Sequence, residues 1–76
     1  MKELLEFIAR ELVEDPDAVR VTETSDDRGL LLQLSVDRED MGKVIGRGGR
    51  TARAIRAVVK AAAVRDGVRA AVEIVD

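Results

Sequence analysis

The 76-residue sequence contains no cysteine and no histidine. Without cysteine, disulfide bonds and thiolate metal sites are excluded, and the cytoplasm is the expected location. Without histidine, the chain lacks the most common general base and the most common metal ligand. A chain of this length buries only about 60% of its extended surface, which leaves little room for an enclosed active site. We therefore expect neither enzymatic activity nor a metal or other cofactor.

Long apolar runs are also absent. Residues 1–13 include Glu3, Glu6 and Glu11 and lack the apolar centre of a signal peptide. No segment approaches the roughly 20 apolar residues that cross a bilayer. We expect one soluble intracellular domain over residues 1–76, with no membrane contact.

The formal net charge is only −2, but the charges are unevenly distributed along the chain. Residues 1–40 carry 5 basic and 12 acidic side chains. Residues 41–65 have no acidic side chain, and their basic residues are Lys43, Arg47, Arg50, Arg53, Arg56, Lys60 and Arg65. A local field of this kind attracts anions within about one Debye length, roughly 8–10 Å. The alternative is a solvated helix face, but a stretch this long without any acid favours an anionic ligand.

The apolar pattern divides the chain into six elements. In order, we predict a helix over residues 2–13, strands over 19–22 and 30–36, helices over 37–45 and 50–64, and a strand over 68–74. Pro16 ends the first helix, a turn occupies residues 25–29, and Asp37 is a plausible N-cap with Asp40 in the first turn after it. The other acidic residues near these positions are explained by turns and caps. The order predicts an α+β domain with three helices on one face of a three-stranded mixed sheet.

The predicted long helix presents three sets of residues at about 100° per residue. The set that we expect to pack on the sheet is Ala52, Ile55, Val59 and Ala62. The basic stripe, about 145° away, consists of Arg50, Arg53, Arg56 and Lys60. The alanine strip, a third set, consists of Ala54, Ala57, Val58 and Ala61. Small residues allow close approach of another helix, so the alanine strip indicates either self-association or simply the high helix propensity of alanine.

Residues 44–51 read Val-Ile-Gly-Arg-Gly-Gly-Arg-Thr and interrupt the helical pattern. Gly46, Gly48 and Gly49 permit a sharp turn and a close approach by a ligand, because they have no Cβ. Arg47 and Arg50 add positive charge, and the next helix directs its free N–H groups toward the turn. The pattern predicts a site for a phosphate backbone.

Three other interpretations of this glycine segment are weaker. A tight turn between two helices usually needs only one glycine. A dinucleotide-binding fingerprint needs a third glycine at the right spacing, and it follows a strand and not a helix. The P-loop pattern also fails, because Val44 occupies the position of its first glycine and Arg50 that of its lysine.

Residues 44–51, followed by Ile55 on the next helix, resemble the signature of the K-homology (KH) RNA-binding domain. Residues 46–49 match its Gly-x-x-Gly loop, and the order of elements resembles the type II arrangement. The resemblance covers essentially the whole chain. A short chain with Asp-Met-Gly-Lys at residues 40–43, just before the loop, is similar to the KhpA family of small bacterial RNA-binding proteins.

The resemblance implies a site for the backbone of about four single-stranded nucleotides at the loop and an apolar groove for the bases beside it. The residues it places at the RNA are Lys43, Val44, Ile45, Gly46, Arg47, Gly48, Gly49, Arg50 and Arg53. Gly48 occupies a position where lysine or arginine is common, which shifts the charge onto Arg47 and Arg50. One of Val44 and Ile45 is expected in the core, and the other in the groove with part of strand 30–36.

The single aromatic residue, Phe7, is assigned to the apolar face of the first helix and thus to the core. Stacking on aromatic side chains contributes roughly 1–3 kcal/mol per base where it occurs. Without it, we expect weak, salt-sensitive RNA binding with little sequence preference.

The resemblance implies a single-stranded RNA-binding protein that acts as an RNA chaperone or post-transcriptional regulator. It also implies a homodimer, or a heterodimer with a KhpB-like RNA-binding protein. The alternative is a protein-interaction adaptor that has the KH shape and little RNA binding of its own.

Overall fold

The computed structural model describes residues 1–75; residue 76, which the predicted domain includes, lies outside them. Within residues 1–75, three α-helices and three β-strands follow one another in the predicted order. They are α1 (Lys2–Leu12), β1 (Arg20–Asp26), β2 (Gly29–Ser35), α2 (Met41–Ile45), α3 (Arg50–Arg65) and β3 (Ala70–Ile74). The predicted α+β class is confirmed. None of the helices in this part of the chain has both the length and the apolar composition to cross a membrane.

The three strands form one mixed sheet in the order β1-β2-β3. The hairpin of β1 and β2 is antiparallel, from the pair Arg20–Ser35 to the pair Asp26–Gly29. β2 and β3 are parallel, and Leu30 pairs with Ala70. Parallel neighbours require a crossover connection. Here α2 and α3 form it, so the glycine segment lies in the middle of the crossover.

The core lies between one face of the sheet and the helices. Leu32 and Leu34 of β2 are fully buried, whereas Leu31 and Gln33 on the opposite face are only partly buried. The helices contribute the buried residues Leu5, Ala9, Val44, Ala52, Ile55, Val59 and Ala63. Burial of a leucine-sized side chain stabilises the fold by about 1.5–3 kcal/mol. The predicted arrangement of helices on one face of the sheet is confirmed.

The predicted position of Phe7 in the core is wrong, because its side chain is 63% exposed. Leu5 and Ala9 are buried, and Phe7 is two residues from each of them. Two residues along an α-helix correspond to about 200°, which places Phe7 on the opposite side. Ala9 is fully buried although it is small, so an apolar pattern of large side chains does not reveal the buried side of α1.

Before residue 37, four element boundaries differ from the prediction by one residue, and the end of β1 differs by four. β1 continues to Asp26, because its polar second half pairs residue by residue with β2 and needs no buried face. The predicted turn therefore shrinks to Asp27 and Arg28, where the Arg28 N–H donates to the Asp26 carboxylate at 2.7 Å.

The end of α3 explains two further differences. Ala63 is buried and Ala62 only partly buried, so the sheet-facing set ends at Ala63 and not at the predicted Ala62. Gly67 has φ 74°, and the Val68 N–H donates to the Ala63 carbonyl at 2.9 Å. This type of cap satisfies the last helical carbonyls. Because it uses the N–H of Val68, β3 begins only at Ala70.

Asp40 has a different role from the predicted one. The expected helix over 37–45 is divided into a 3₁₀ turn, Arg38–Asp40, and α2. Asp37 caps the turn by accepting from the Glu39 N–H at 2.9 Å, as predicted. Asp40 instead is 3% exposed and accepts from the backbone N–H groups of Glu14 and Asp15 at 3.2 and 3.1 Å. Its carboxylate thereby fastens the segment after α1 to the start of α2.

The environment of Asp40 favours its charged form. Burial by itself raises the pKa of the carboxyl. The N–H groups of Asp15 and Glu14 and the ammonium of Lys43 outweigh this effect, so the pKa lies below its ordinary value. The carboxylate therefore keeps its charge and its hydrogen bonds near neutral pH.

Candidate nucleic-acid interface

The glycine segment forms an exposed turn between α2 and α3. α2 ends at Ile45, a 3₁₀ turn covers Arg47–Gly49, and α3 begins at Arg50. Gly46, Gly48 and Gly49 have φ values of 75°, 64° and 78°. Side chains other than hydrogen are strained at such angles. The backbone of the turn is thus sharply bent, as the sequence predicts, and Arg47 and Gly48 at its centre are exposed.

Gly46 and Gly48 serve different purposes in this turn. A Cβ on Gly46 would lie 2.7 Å from the Cβ of Thr51 and 2.8 Å from its backbone nitrogen. A Cβ on Gly48 would have no atom within 4 Å. Gly46 therefore allows the turn to pack against α3, while Gly48 leaves open space in front of the turn.

The turn also has hydrogen-bond donors that the fold does not use. The N–H of Gly46 donates to Gly42 at 2.8 Å, and that of Gly49 to Gly46 at 3.1 Å. The N–H groups of Arg47 and Gly48 donate to no acceptor within residues 1–75. Two neighbouring free N–H groups on an exposed turn can bind one anionic oxygen.

Positive charge surrounds the turn without acidic partners. Arg47 and Arg50 are exposed, and no carboxylate in residues 1–75 pairs with either of them. Arg53 donates from Nη1 to the Gly48 carbonyl at 3.1 Å, which holds its guanidinium beside the turn. These three side chains therefore give the turn a positive field that no carboxylate of residues 1–75 neutralises.

Lys43 differs from the other predicted site cations. Its Nζ lies 3.3 Å from Oδ1 of Asp40, the only ion pair within residues 1–75. The side chain of Lys43 remains 45% exposed, so it can still be reached from solvent. Because a buried carboxylate compensates its charge, Lys43 adds less to the field than Arg47 does.

A groove lies next to the turn. Val44 is fully buried, whereas Ile45 is 39% exposed, which confirms that one of the pair packs in the core. Ile45 lines a groove of ≈ 700 Å³ together with Val36, Arg38 and Met41. Only Val36 of the predicted strand region contributes. Met41 could have been found from its i, i+4 spacing to Ile45, but nothing local in the sequence places Arg38 there.

The basic stripe is exposed along its whole length, as predicted. Arg56 donates from Nε to the carbonyl of Val72 in β3 at 3.2 Å. Arg56 therefore lies on the side of α3 that is nearer to β3. The four residues of the alanine strip are exposed as well, and Val58 is 48% exposed. Within residues 1–75, no group of acidic side chains is arranged so that it could hold a metal ion.

The fold and the turn together define a class of protein. A mixed three-stranded sheet, helices on one face, and an exposed glycine turn between α2 and α3 are the arrangement of a type II KH domain. A family model described as "KhpA/KhpB, KH domain" matches residues 2–74. The chain belongs to this family.

Similar chains come from several organisms. A protein from Clostridium acetobutylicum is 55% identical over 75 residues, which cover 99% of this chain and 100% of the relative. A protein from Halalkalibacterium halodurans is 53% identical over 76 residues and matches over the full length of both chains. One from Aquifex aeolicus is 41% identical over 100% of this chain and 96% of its own. All three relatives carry the name RNA-binding protein KhpA.

A solved structure shares the fold. The crystal structure of Aquifex aeolicus Era bound to GDP·AlF4⁻ superimposes with a TM-score of 0.63 at 20% identity. The match covers 96% of this chain but 28% of the Era chain. It supports the fold and nothing further about function.

Proposed function

We propose that the protein binds single-stranded RNA and that residues 46–49 hold the RNA backbone. The family and the names of its relatives support RNA as the ligand. The observation that carries the proposal is the exposed turn, at which free N–H groups of Arg47 and Gly48 lie beside uncompensated arginines. Backbone N–H groups and arginine side chains are typical donors to phosphate oxygens.

The proposed contacts follow from the geometry of the turn. One phosphate oxygen accepts from the N–H groups of Arg47 and Gly48, where no side chain obstructs the approach. The side chains of Arg47 and Arg50 neutralise the phosphates on either side. Arg53, held by its bond to the Gly48 carbonyl, extends the positive surface onto α3.

The bases are proposed to lie on the groove that contains Ile45. Val36, Met41 and Ile45 offer apolar contact to a base, and Arg38 can donate hydrogen bonds to its edge. Phe7 lies on α1, away from the groove, so no aromatic side chain within residues 1–75 stacks on a base there. Weak binding with little sequence preference follows from this chemistry, since phosphate contacts dominate.

The proposal extends to the setting in which the protein acts. We place it in the cytoplasm, as a single non-catalytic domain over residues 1–76 that works as an RNA chaperone or post-transcriptional regulator. The alanine strip is proposed to bind a second copy or a KhpB-like protein. Its support is the exposed, small-residue surface of Ala54, Ala57, Val58 and Ala61, together with a family model whose description includes KhpB.

A double substitution tests the role of the turn. Arg47→Asp with Gly48→Asp places negative charge where the phosphate would lie, and the open space at Gly48 accommodates the side chain. The matched control is Arg47→Gln with Gly48→Asn, which has the same backbone cost without the negative charge, because Asn and Asp tolerate positive φ similarly. RNA binding is measured by titration with fluorescent oligoribonucleotides, and folding by circular dichroism.

The expected result is loss of RNA binding in the aspartate variant, weakened binding in the control, and similar folding in both. If the folded aspartate variant binds RNA like the wild type, the proposed site is wrong. Absence of RNA binding by the wild type would favour the protein-interaction adaptor.

A further inference from the structure

The end of α3 that is farthest from the glycine turn forms a second groove. There the β1–β2 hairpin meets the connection from α3 to β3, and the Leu30 N–H donates to the Arg69 carbonyl at 2.9 Å. A Cβ on Gly29 would lie 2.8 Å from the Cβ of Arg69, so the two segments meet without room for a side chain. Arg69 is thus held at a fixed position beside the start of β2.

This second groove has a volume of ≈ 660 Å³ and combines basic with apolar side chains. Its basic lining residues are Arg28, Lys60 and Arg69, each from a different segment of the chain. Leu30, Val64 and Val68 provide apolar surface. Among residues 1–75, Asp26 is the one acidic residue in the lining, and its carboxylate accepts from the Arg28 N–H. The groove therefore carries a net positive charge.

The basic stripe connects the turn to the second groove. Lys60 is ten residues beyond Arg50, which corresponds to about 15 Å along α3. Arg53 and Arg56 lie between them, at intervals close to one helical turn. The nearest carboxylate of β3, Glu73, accepts from the Gln33 side chain at 2.8 Å. Because β3 pairs in register with β2 (Gln33 with Glu73), this carboxylate is on the open face of the sheet, away from α3.

The opposite side of α3 offers no comparable path. Thr51, Val58 and Ala62 occupy the side that is not turned toward β3, and the acid-rich residues 1–40 provide α1 and β1. The cations that α3 presents between the turn and the second groove therefore belong to the basic stripe, and the remaining cation of the helix, Arg65, lies beyond Lys60.

We propose that Arg28, Lys60 and Arg69 form a second phosphate-binding site, which holds a more distant part of the same RNA strand that the glycine turn holds. The inference rests on the proposed function and deepens it. The series of cations from Arg50 to Lys60 offers positive charge on successive turns of α3 to the repeated charges of a sugar-phosphate backbone. A base can pack against the apolar side chains of the lining and displace water from them.

RNA length separates this site from the turn. An RNA of roughly four nucleotides fills only the turn and its neighbouring groove, whereas one of roughly twelve nucleotides reaches the far end of α3. In an ¹⁵N-labelled sample, the amide signals of Gly48 and Gly49 report on the turn, and those of Gly29 and Gly67 on the second groove. We expect the short RNA to shift only the first pair and the long RNA to shift both pairs.

A triple substitution, Arg28→Gln, Lys60→Gln and Arg69→Gln, tests the three cations. The matched control is Lys2→Gln, Arg10→Gln and Arg65→Gln, which removes the same charge from exposed positions outside both grooves. In the triple variant, we expect short RNA to bind as in the wild type and long RNA to lose its gain in affinity. For long RNA, the slope of the logarithm of the binding constant against the logarithm of salt concentration should decrease in magnitude by about 2. Each of the three contacts to single-stranded RNA contributes about 0.7 to this slope.

Three results would overturn the inference while leaving the turn intact. The first is a wild type that binds long and short RNA equally well. The second is a triple variant that still binds long RNA more tightly than short RNA, or a control variant that loses this difference in affinity to the same extent as the triple variant. The third is a titration in which a polyglutamate peptide shifts the amide signals of Gly29 and Gly67 and the long RNA does not. If the wild type binds neither RNA, the proposed function fails and the second site fails with it.

Discussion

The salt dependence of RNA binding distinguishes cations that contact phosphate from cations that the protein itself compensates. For single-stranded nucleic acid, the logarithm of the binding constant falls with the logarithm of salt concentration, with a slope of about 0.7 for each neutralised phosphate. If Arg47 and Arg50 each contact one phosphate, a short RNA should show a slope of about −1.4. Between 50 and 200 mM salt, the affinity should then fall roughly sevenfold.

Single substitutions turn this slope into a test of the geometry. Arg47→Gln should remove about 0.7 from the magnitude of the slope, because Arg47 is exposed and has no carboxylate partner within residues 1–75. Lys43→Gln should leave the slope nearly unchanged, because the Lys43 ammonium is already paired with Asp40 at 3.3 Å. Both substitutions remove one charge, so a general effect of net charge would change both slopes equally.

The assay is a titration of a short fluorescent RNA at four or more salt concentrations, with the same protein preparations checked for folding by circular dichroism. Equal slopes for Arg47→Gln and the wild type would refute the phosphate contact at the turn. A reduction for Lys43→Gln as large as that for Arg47→Gln would refute the argument that Asp40 compensates Lys43.

Three further predictions concern folding. Gly46→Ala should destabilise the protein by about 2–4 kcal/mol, because strain at positive φ and overlap with Thr51 both contribute. Gly48→Ala should cost only about 1–2 kcal/mol, because the strain at positive φ acts alone there. Urea unfolding measures the free energy of unfolding of both variants. Leu5→Ala should cost about 2–5 kcal/mol and Phe7→Ala less than about 0.5 kcal/mol, and similar costs for the two would contradict their assigned burial. The lowered pKa of Asp40 implies stability that is present above its ordinary pKa of 3.8 and is lost as the pH falls through the folded-state value. Accordingly, the difference in unfolding free energy between the wild type and Asp40→Asn should narrow below about pH 4, and a difference that stays constant down to pH 2 would exclude this linkage.

Local sequence patterns were sufficient for the parts of the fold that depend on near neighbours. The order of helices and strands follows from periodicity, and the exposed turn follows from three closely spaced glycines. The predicted sheet-facing side of α3 differs from the observed one only at its last residue, because residues such as Ile55 and Val59 recur at helical spacing. Helix geometry alone separates these residues from the basic stripe.

The features that the sequence did not reveal depend on contacts between distant segments. Asp40 accepts from N–H groups 25 and 26 residues earlier, so nothing next to it distinguishes this role from capping. Arg38 joins the groove of Ile45 only because the 3₁₀ turn before α2 brings it there. Arg28 and Arg69 are 41 positions apart and meet only after β2 and β3 pair.

The glycines of the turn have different roles although they lie close together in the sequence. Gly46 lies against Thr51, so any side chain there disturbs the packing of α3 before a ligand is involved. Gly48 faces open space, so a side chain there changes what can approach the turn. In this turn, the N–H groups of Arg47 and Gly48 have no acceptor among residues 1–75. A phosphate, the ligand that we propose for this turn, has the charge and the oxygen atoms to match both the free donors and the arginines beside them.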